Sequence, residues 1–320
     1  MKFCHKTTIN DVSKILCKAS NVAIFAHTRP DGDAVGACVA LRLALKKLGK
    51  SAEIFCDTEL TDSFANFAAT NCIKKQFEGK FDLFVAVDCG ALSRVGEFAG
   101  LFSKFANTLT IDHHGGEYFS KNNLVLETAS TCEIVLRVID ALGVQIDCEM
   151  ATYLYMGLCT DTGNFAHSNT SKAVFDTASR LVSYGADIQL VNRVFFKDVS
   201  LAKTKLVGVA LSRIRTYFDN KLTVLYATKA DFDKLGVNAT ATEGLVQHAI
   251  NVDSAIVGVS ICEHAQNVYK ISMRGKDFDV RQICEEFGGG GHINASGCMI
   301  SGFFEDVVDK IVFTVGRYLC

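Results

Sequence analysis

The first half of this chain alternates short apolar segments with helical segments, and this alternation constrains the fold most strongly. Residues 81–87 are almost continuously apolar, as in a strand of a parallel sheet that is covered on both faces. Residues 33–48 carry helical periodicity, and Gly49 is a favourable residue directly after a helix. The other predicted strands are 21–26, 51–56 and 108–111, and the other predicted helices are 130–141 and 150–158. The pattern predicts an open, mostly parallel α/β sheet covered by helices.

The rest of the chain predicts a second, smaller α/β domain. Residues 171–211 are mostly helical in pattern, and further strands are predicted at 221–227, 255–262, 268–273 and 298–301. Helices are predicted at 242–250, at 279–287 and from Phe304 onward. A length of 320 residues suffices for two domains. We therefore expect a two-lobed α/β protein with a first domain at 1–195, a helical connector at 196–214 and a second domain at 215–320.

The amino-acid composition limits the classes of molecule that the chain is expected to bind. Charged residues make up 21% of the chain, and the net charge is −2. A long basic surface that grips duplex nucleic acid is not expected, because such binding depends on many phosphate contacts. A small phosphate-bearing ligand needs only a few local cations and remains compatible with this charge. No apolar run approaches the ~18 residues of a membrane span, so we expect no membrane partner.

The cysteine pattern indicates a reducing compartment. Thirteen cysteines are present, without any C-x-x-C pair, and most of them lie in apolar segments. Such positions are typical of buried, reduced thiols. The odd number of cysteines and the absence of an export signal favour the cytoplasm.

Four short stretches contribute acidic and imidazole side chains where predicted strands or helices end. They hold His27, Asp31 and Asp33, then Asp88, then Asp112, His113 and His114, and finally Asp161. In open α/β sheets, the carboxyl ends of the strands form the ligand-binding edge. Carboxylates and imidazoles gathered there repel each other or lose their charge unless a cation lies between them. Together the stretches predict a two-cation hydrolytic centre, although a turn or a helix cap would explain any one of them alone.

Pro30, the only proline of the chain, ends the first strand, and we expect Gly32 to let the backbone turn tightly behind it. Such a turn would aim His27, Asp31 and Asp33 at one point. The donor set contains imidazole and carboxylate but no sulfur, which favours Mn²⁺, with Mg²⁺, Co²⁺ or Fe²⁺ as substitutes. Two such cations generate a hydroxide and polarise a phosphoryl oxygen, so the predicted reaction is phosphoester hydrolysis.

A glycine run is the second strong motif. It consists of Gly288, Gly289, Gly290 and Gly291, and it is followed by His292 and Asn294. The backbone N–H groups of such a run can converge on an anion or let a flat base approach, whereas a helix C-cap with a loose loop is the simpler alternative. Arg274 ends a predicted strand and is a natural phosphate partner, because its fork matches oxyanion geometry. Phe165 would either stack on a base or belong to the core.

These motifs resemble those of the DHH phosphoesterases, a family named after the triplet that stands here as Asp112-His113-His114. The resemblance covers the whole chain and implies a DHH catalytic domain followed by a DHH-associated substrate domain. By this resemblance, one cation is held by His27, Asp31 and Asp88, and the other by Asp33, Asp88, His113 and Asp161. Asp88 would be the bridging ligand. His114 would not bind metal but would face the scissile phosphate, so Asp88 and His114 are the expected catalytic residues.

The second domain is similar to that of the nanoRNase branch, in which a glycine motif and an arginine hold the nucleotide. The corresponding residues are Arg274, Gly288, Gly289, Gly290, Gly291, His292 and Asn294. Ile293 departs from the pattern, because a polar residue or proline is more usual there. This departure leaves the finer substrate preference open.

The resemblance implies a Mn²⁺-dependent phosphodiesterase that degrades short oligoribonucleotides (nanoRNA), including pApA, to mononucleotides. It also implies phosphatase activity on 3′-phosphoadenosine 5′-phosphate (pAp). The expected partners are short single-stranded RNA, dinucleotides and pAp. There are two alternative functions: a stand-alone phosphodiesterase for cyclic di-AMP, and a non-catalytic nucleotide sensor. Loss of a cation ligand would mark a sensor, and none is lost. Whether the chain acts as a monomer or a homodimer is left open.

Overall fold

The computed structural model describes residues 5–319, and residues 1–4 and Cys320 lie outside the described range. The chain divides into two compact units, of which the first ends at Asp198 and the second begins at Val199. Each unit contains one β-sheet with helices packed against it. The predicted two-lobed α/β class is confirmed.

The first unit is built on a sheet of parallel strands. In the described part these are β1 (His5–Lys6), β2 (Asn21–Phe25), β3 (Ser51–Phe55), β4 (Ile73–Lys74), β5 (Leu83–Val87), β6 (Thr108–Asp112) and β7 (Asn122–Val125). Their order across the sheet is β1-β7-β6-β5-β2-β3-β4. The order reverses between β2 and β5, because β3 and β4 lie on one side of this pair and β6 and β7 on the other. Such a switch point opens a crevice at the carboxyl ends of the two strands, where ligands bind in open α/β sheets.

All but one of the helices of the first unit cover one face of this sheet. The helices are α1 (Ile9–Lys18), α2 (Gly32–Lys47), α3 (Ala99–Lys104), α4 (Thr131–Ala141), α5 (Cys148–Asp161), α6 (Lys172–Ser183) and α7 (Ile188–Asn192). The exception is α3, whose Phe102 is buried among the aromatic side chains of the other face. Helices α2 and α5 lie in close contact, since a Cβ added at Gly36 would stand 2.3 Å from the Tyr153 carbonyl oxygen. A Cβ at Gly32 would likewise meet the Thr160 side chain at 2.4 Å. The first turn of α2 therefore lies directly against the last turn of α5.

Aromatic side chains cover the other face. The buried rings there are Phe25, Phe55, Phe84, Phe98 and Phe102. Phe25 alone contacts the rings of the other four at centroid distances of 5.1–5.7 Å. Because both faces are covered, every residue of β5 is buried, as its apolar run predicts.

The second unit contains a mixed sheet. Its strands are β8 (Arg215–Tyr217), β9 (Leu222–Ala227), β10 (Val257–Ala265), β11 (Val268–Gly275), β12 (Gly290–His292) and β13 (Ala295–Ser301), in the order β12-β13-β11-β10-β9-β8. Its helices are α8 (Leu201–Ser212), α9 (Lys229–Leu235), α10 (Leu245–Ile250), α11 (Arg281–Glu286) and α12 (Phe304–Leu319). β9 and β10 are parallel, and the other neighbours are antiparallel. Helix α8 occupies the segment expected as a connector, and its Leu206 and Ala210 are buried against Leu225 and Phe232 of this unit.

The structure adds elements that the sequence pattern does not predict. β1 and β4 contain two residues each, which is too short for any periodicity to be visible. β7 begins with two asparagines, which are unusual in strands. Part of the glycine run is also ordered as β12 rather than as a loose loop, because its last two glycines and His292 pair with β13.

Candidate metal centre and glycine-rich segment

The ends of the elements at the switch point bring the predicted ligands together. Asp31 caps the start of α2, Asp88 follows β5 directly, and Asp161 is the last residue of α5. Potential ligand atoms fall into three groups in which all atoms lie within 4.8 Å of one another. These groups are His27, Asp31 and Asp88; Asp33, His113 and Asp161; and Asp88, His113 and His114. All six predicted ligands belong to at least one group.

Asp88 lies at the centre of the arrangement. Its two carboxylate oxygens face different histidines, with Oδ2 3.7 Å from His27 Nε2 and Oδ1 3.7 Å from His113 Nε2. The residue is 2% exposed and has a φ of 60° in the left-handed region, which is unfavourable for a side chain other than glycine. Strained conformations of this kind concentrate at functional sites, because the surrounding fold must hold them. The Thr131 hydroxyl donates to Asp88 Oδ1 over 2.8 Å and fixes the carboxylate further.

The two histidines are oriented with one nitrogen free. His27 Nδ1 lies 2.9 Å from the Thr28 carbonyl oxygen, and His113 Nδ1 lies 3.1 Å from the Thr128 carbonyl oxygen. A carbonyl only accepts, so Nδ1 carries a hydrogen in each ring, and in the neutral ring Nε2 presents a lone pair. His113 Nε2 is buried and has no hydrogen-bond partner among residues 5–319, although Asp161 Oδ2 is 3.2 Å away. An imidazole lone pair that faces a carboxylate at this distance fits a shared cation, and metal-binding histidines are oriented in the same way.

Asp33 is completely buried, at 0% exposure. Its carboxylate accepts hydrogen bonds from the backbone N–H groups of Thr131 at 2.6 Å and Cys132 at 2.9 Å, at the start of α4. Burial, and then the charges of Asp88 and Asp161, raise the pKa of Asp33 well above its usual range. Burial and the neighbouring carboxylates also raise the pKa of Asp161, to about 8. Bound cations would reverse these shifts, because they offset both the lost hydration and the mutual repulsion.

The residues therefore fit divalent cations. The donor set is imidazole and carboxylate, in which Asp33 and Asp88 are buried and ring nitrogens of His27 and His113 lie within 4.8 Å of carboxylate oxygens. Such donors suit Mn²⁺, Mg²⁺, Co²⁺ and Fe²⁺ better than a structural zinc site.

His114 differs from the other two histidines in exposure and in partners. Its Nδ1 lies 2.9 Å from Asp112 Oδ1 and 3.4 Å from Asp88 Oδ1, and its side chain is 52% exposed. The hydrogen bonds with Asp112 and then Asp88 raise the pKa of His114 to about 10. Asp112 is itself fixed by the backbone N–H groups of Gly90 and His114. His114 thus presents a partly exposed, positively charged ring at the edge of the carboxylate cluster, and Asp112 orients it.

The structure corrects the expected role of Gly32 and reveals residues that the sequence analysis missed. Gly32 is already helical and does not form the turn; a side chain there would collide with Thr160, and Arg29 takes the left-handed conformation instead, with φ 53°. Gly157 is needed for a similar reason, since a Cβ there would stand 2.5 Å from Asp33 Oδ1. The sequence does contain one signal for Gly157, because a glycine inside a strongly predicted helix indicates a packing or functional requirement. No local pattern marks Thr131 as a partner of Asp88, because the contact joins segments 43 residues apart.

In the second unit, some glycines of the run are required by the backbone conformation and others by close packing. Gly288 ends α11 in the left-handed region at φ 72°, and Gly291 has φ 144°. A Cβ at Gly289 would stand 2.2 Å from the Gly297 carbonyl oxygen, whereas a Cβ at Gly290 would meet nothing within 4 Å. The helix-capping alternative therefore accounts for Gly288 and in part for Gly289, whose N–H donates to the Cys284 carbonyl oxygen of α11 at 2.9 Å. Gly290 and Gly291 belong to β12 and pair with β13 in a tight hairpin.

The predicted substrate residues of this unit lie around that hairpin. Arg274, which is half-buried, is paired with Ala295 in the β11–β13 ladder, and its guanidinium donates to the Met273 carbonyl oxygen at 3.0 Å. His292 and Asn294 are exposed. A cavity of about 350 Å³ is lined by Lys270, Ile271, Phe287, Gly288, Gly289, Gly297, Cys298 and Met299. Gly288 and Gly289 thus border an open cavity, while Arg274, His292 and Asn294 are not among its lining residues.

Comparisons with known proteins agree across both units. Residues 21–158 match the sequence profile of the DHH family, N-terminal domain, and residues 219–319 match that of the DHHA1 domain. The chain is 30% identical to the bifunctional oligoribonuclease and PAP phosphatase NrnA of Mycoplasma genitalium, over 96% of this chain and 99% of that protein.

Solved structures show the same fold. An exopolyphosphatase-related protein from Bacteroides fragilis superposes with a TM-score of 0.85 at 26% identity, over 97% of this chain and 96% of the other. RecJ from Thermus thermophilus, solved in complex with Mn²⁺, superposes with a TM-score of 0.55 at 15% identity, over 97% of this chain and 55% of the other. At the latter identity the likeness concerns the fold alone.

Proposed function

This chain belongs to the DHH family of phosphoesterases, and we propose that it hydrolyses short oligoribonucleotides such as pApA to mononucleotides and removes a phosphate from pAp. The Mycoplasma genitalium relative carries both activities in its name and aligns over nearly the whole of both chains. No ligand position of the DHH pattern is altered here, which favours an active enzyme over a nucleotide sensor.

The observation that carries the proposal is the position of Asp88. One carboxylate oxygen faces His27, and the other faces His113. Asp88 therefore lies where a single carboxylate would bridge two cations. We assign His27, Asp31 and Asp88 to one cation, and Asp33, Asp88, His113 and Asp161 to the other, with Mn²⁺ as the preferred ion and Mg²⁺ or Co²⁺ as substitutes. When bound, such a pair supplies Lewis-acid polarisation of the phosphoryl group and activation of water.

The protein's own contribution to the chemistry centres on His114. Its imidazolium, held by Asp112 at 2.9 Å, is a partly exposed cation beside the carboxylate cluster. A phosphodiester gains negative charge on its oxygens as the bond to the leaving group breaks. A fixed positive charge aimed at that position stabilises the transition state more than the bound substrate. We therefore assign His114 to phosphate binding and charge stabilisation rather than to metal binding.

In the second unit we assign nucleotide binding to Arg274 and to the hairpin with Gly288, Gly289, Gly290, Gly291, His292 and Asn294. Arg274 offers a guanidinium that donates to the Met273 carbonyl oxygen and pairs with no carboxylate among the described residues, which suits a phosphate. The glycines bring the backbone close to the surface without side chains in the way. The expected ligands are short single strands, dinucleotides and pAp, since the net charge of −2 does not favour duplex nucleic acid.

The cytoplasm is the compartment that suits this assignment. The cysteines of the described residues are all free thiols, and eight of the eleven are buried, which fits reducing conditions. Within residues 5–319, no helix is both long and apolar enough to cross a membrane.

Initial-rate measurements with Mn²⁺ test the proposal. We expect pApA and pAp to be hydrolysed, a pentanucleotide to be degraded to mononucleotides, and cyclic di-AMP to be a poor substrate. Asp88→Ala should abolish all of these activities. A higher rate on cyclic di-AMP than on pApA would favour the cyclic dinucleotide phosphodiesterase. Binding of pApA without any hydrolysis, in any of the four metals, would favour the sensor.

A further inference from the structure

The turn after Asp161 has an unusual backbone. Gly163, Asn164 and Phe165 all lie in the left-handed region, with φ values of 55°, 56° and 67°. Glycine and asparagine tolerate this region, but for a bulky residue such as phenylalanine it is a genuine outlier. Outliers of this kind persist only where the surrounding structure fixes them, and they cluster at functional sites.

Hydrogen bonds fix this turn to the metal-site segment. Thr162 is completely buried; its hydroxyl accepts from the Phe165 N–H at 3.1 Å and donates to the Leu158 carbonyl oxygen at 2.6 Å. Further along, His167 Nδ1 lies 3.2 Å from the Asp161 carbonyl oxygen, and Asn169 Nδ2 donates to the same oxygen at 3.2 Å. The position of Phe165 is therefore coupled to the backbone of Asp161.

The turn supports a second aromatic ring. Phe165 is half-buried, and its ring is stacked on that of Phe175 with centroids 5.4 Å apart and an interplanar angle of 19°. Tyr155 contacts Phe165 with a centroid distance of 6.2 Å. Phe175 lies on α6 and is 55% exposed, although Val174, one position earlier, is buried in the core. The strained turn thus holds one ring as the backing for another ring that is open to solvent.

We infer that Phe175, backed by Phe165, is a stacking platform for one nucleobase of the substrate whose phosphate lies at the metal centre. The inference rests on the proposed function and assigns a base-binding residue within the first unit. A flat, uncharged ring that is fixed from behind and exposed in front matches the π-face of a base. The charged neighbours Lys172 and Asp176 pair with each other at 2.6 Å, and the Phe175 side chain remains exposed. Because every base has a π-face, the platform selects for the presence of a base rather than its identity.

Kinetics of Phe175→Ala test this assignment. We expect the KM for pApA to rise by about 10-fold, the effect of losing one base–aromatic stack, while kcat changes little. Phe175→Tyr should restore the KM, because it keeps the ring. A dinucleotide analogue with an abasic second sugar should show the same KM with wild type and Phe175→Ala. Phe313→Ala is the matched control, since Phe313 is also a strongly exposed phenylalanine, at 70%, but belongs to the second unit.

The absence of tryptophan from the chain allows a binding readout that does not depend on hydrolysis. Phe175→Trp introduces a single tryptophan at the platform, whose fluorescence can be excited apart from that of the tyrosines. In EDTA, pApA should quench this fluorescence, and the abasic analogue should quench it less. Phe313→Trp should respond to neither ligand.

Several results would overturn the inference. An unchanged KM for pApA in Phe175→Ala would overturn it. A Phe175→Trp fluorescence that does not change when pApA is added would also overturn it. A change of oligomeric state in Phe175→Ala by size-exclusion chromatography would show that the ring contacts a second copy of the chain. These failures are distinct from failure of the proposed function, which would appear as wild-type protein that does not hydrolyse pApA at all.

Discussion

Asp112 shapes the site without belonging to the proposed ligand set. Its Oδ1 accepts from both the backbone N–H and the ring Nδ1 of His114 at 2.9 Å, and its Oδ2 accepts from the Gly90 N–H. These bonds give His114 its orientation and hold its positive charge. The proposed role of His114 therefore depends on Asp112 as well as on His114 itself.

Asp112→Asn tests this joint role. The amide keeps the shape of the side chain but removes the negative charge that holds the His114 imidazolium. We expect kcat for pApA to fall about 10- to 100-fold, the usual effect of losing a partner that orients a functional histidine. Mn²⁺ affinity, measured by isothermal titration calorimetry, should change by less than about 3-fold, because Asp112 is not in the ligand set. Asp88→Ala, the matched control, should lose Mn²⁺ binding. A loss of Mn²⁺ binding in Asp112→Asn would show that Asp112 is a ligand.

The candidate ligands could be proposed from the sequence at this scale, but the residues that support them could not. Asp88 and Asp161 each follow a strong strand or helix signal, and a carboxylate at such an end is visible in the sequence. The contacts of Thr131 with Asp88 and of Gly157 with Asp33 join segments that are distant in sequence. Nothing in the local sequence encodes these contacts, since they depend on how closely α4 approaches the end of β5 and α5 approaches α2.

At the scale of secondary-structure elements, the packing next to the β12–β13 hairpin predicts different effects for two neighbouring glycine substitutions. Gly289→Ala should destabilise the protein by about 2 kcal/mol or more, because its Cβ would overlap the Gly297 carbonyl oxygen and the Cys298 backbone. Gly290→Ala should change the free energy of unfolding by less than about 0.5 kcal/mol, since the same atom would meet open space at an ordinary φ. Urea denaturation of both variants measures the difference. Equal destabilisation would mean that the hairpin does not pack as described.

Helix α9 carries a pH-dependent interaction. Asp231 accepts from Thr228 in a capping box and from both Arg213 nitrogens, at 2.5 and 2.9 Å. Burial alone would raise the pKa of Asp231, but the hydrogen bonds from Arg213 and Thr228 outweigh it and lower the pKa to about 2. A carboxylate whose pKa is depressed on folding adds stability above its unfolded pKa, about 3.9, and this contribution is lost as the pH falls towards 2.

Asp231→Asn should therefore lower the free energy of unfolding by about 2 kcal/mol at pH 7. The difference in free energy of unfolding between the variant and wild type should decrease from pH 4 to pH 2, as the wild-type carboxyl group becomes protonated. Urea denaturation of both proteins at pH 7, 4 and 3 measures this difference. Asp176→Asn is the control, because Asp176 and Lys172 form an exposed pair that contributes little at any pH. A difference that stays constant with pH would contradict the assigned ion pair.

Elements with a long, regular pattern were predicted well. The helix expected at 33–48 is α2, and the strand expected at 81–87 is β5. The glycine run was harder to interpret, because glycine has no side chain whose burial could reveal a strand. Its pairing depends on β13, which provides the hydrogen-bonding partner.

At the scale of the whole molecule, metal binding should stabilise the fold. The carboxylates of Asp33 and Asp88 are buried close together in the site, and cations would relieve both their repulsion and their lost hydration. Mn²⁺ at about 100 times its Kd should add about 2.7 kcal/mol, which corresponds to an increase of about 5–10 °C in Tm. Differential scanning fluorimetry with and without EDTA measures the shift. The shift should vanish in Asp88→Ala, and its persistence there would place the metal elsewhere.

The order of strands in the sheet could not be read from the sequence, although the site depends on it. The pattern predicts which segments are strands, but not that β2 and β5 are neighbours. That adjacency places His27 beside Asp88 and forms the switch point. Proximity of the motifs was inferred from the chemistry of carboxylates and histidines, and the fold now provides the geometric reason.

The most direct test is anomalous diffraction from crystals of the full chain soaked with Mn²⁺, recorded at the manganese edge. The structure predicts two peaks that both contact the Asp88 carboxylate, one also reached by His27 and Asp31, the other by Asp33, His113 and Asp161. The absence of peaks at this position, or peaks that do not touch Asp88, would contradict the two-cation centre.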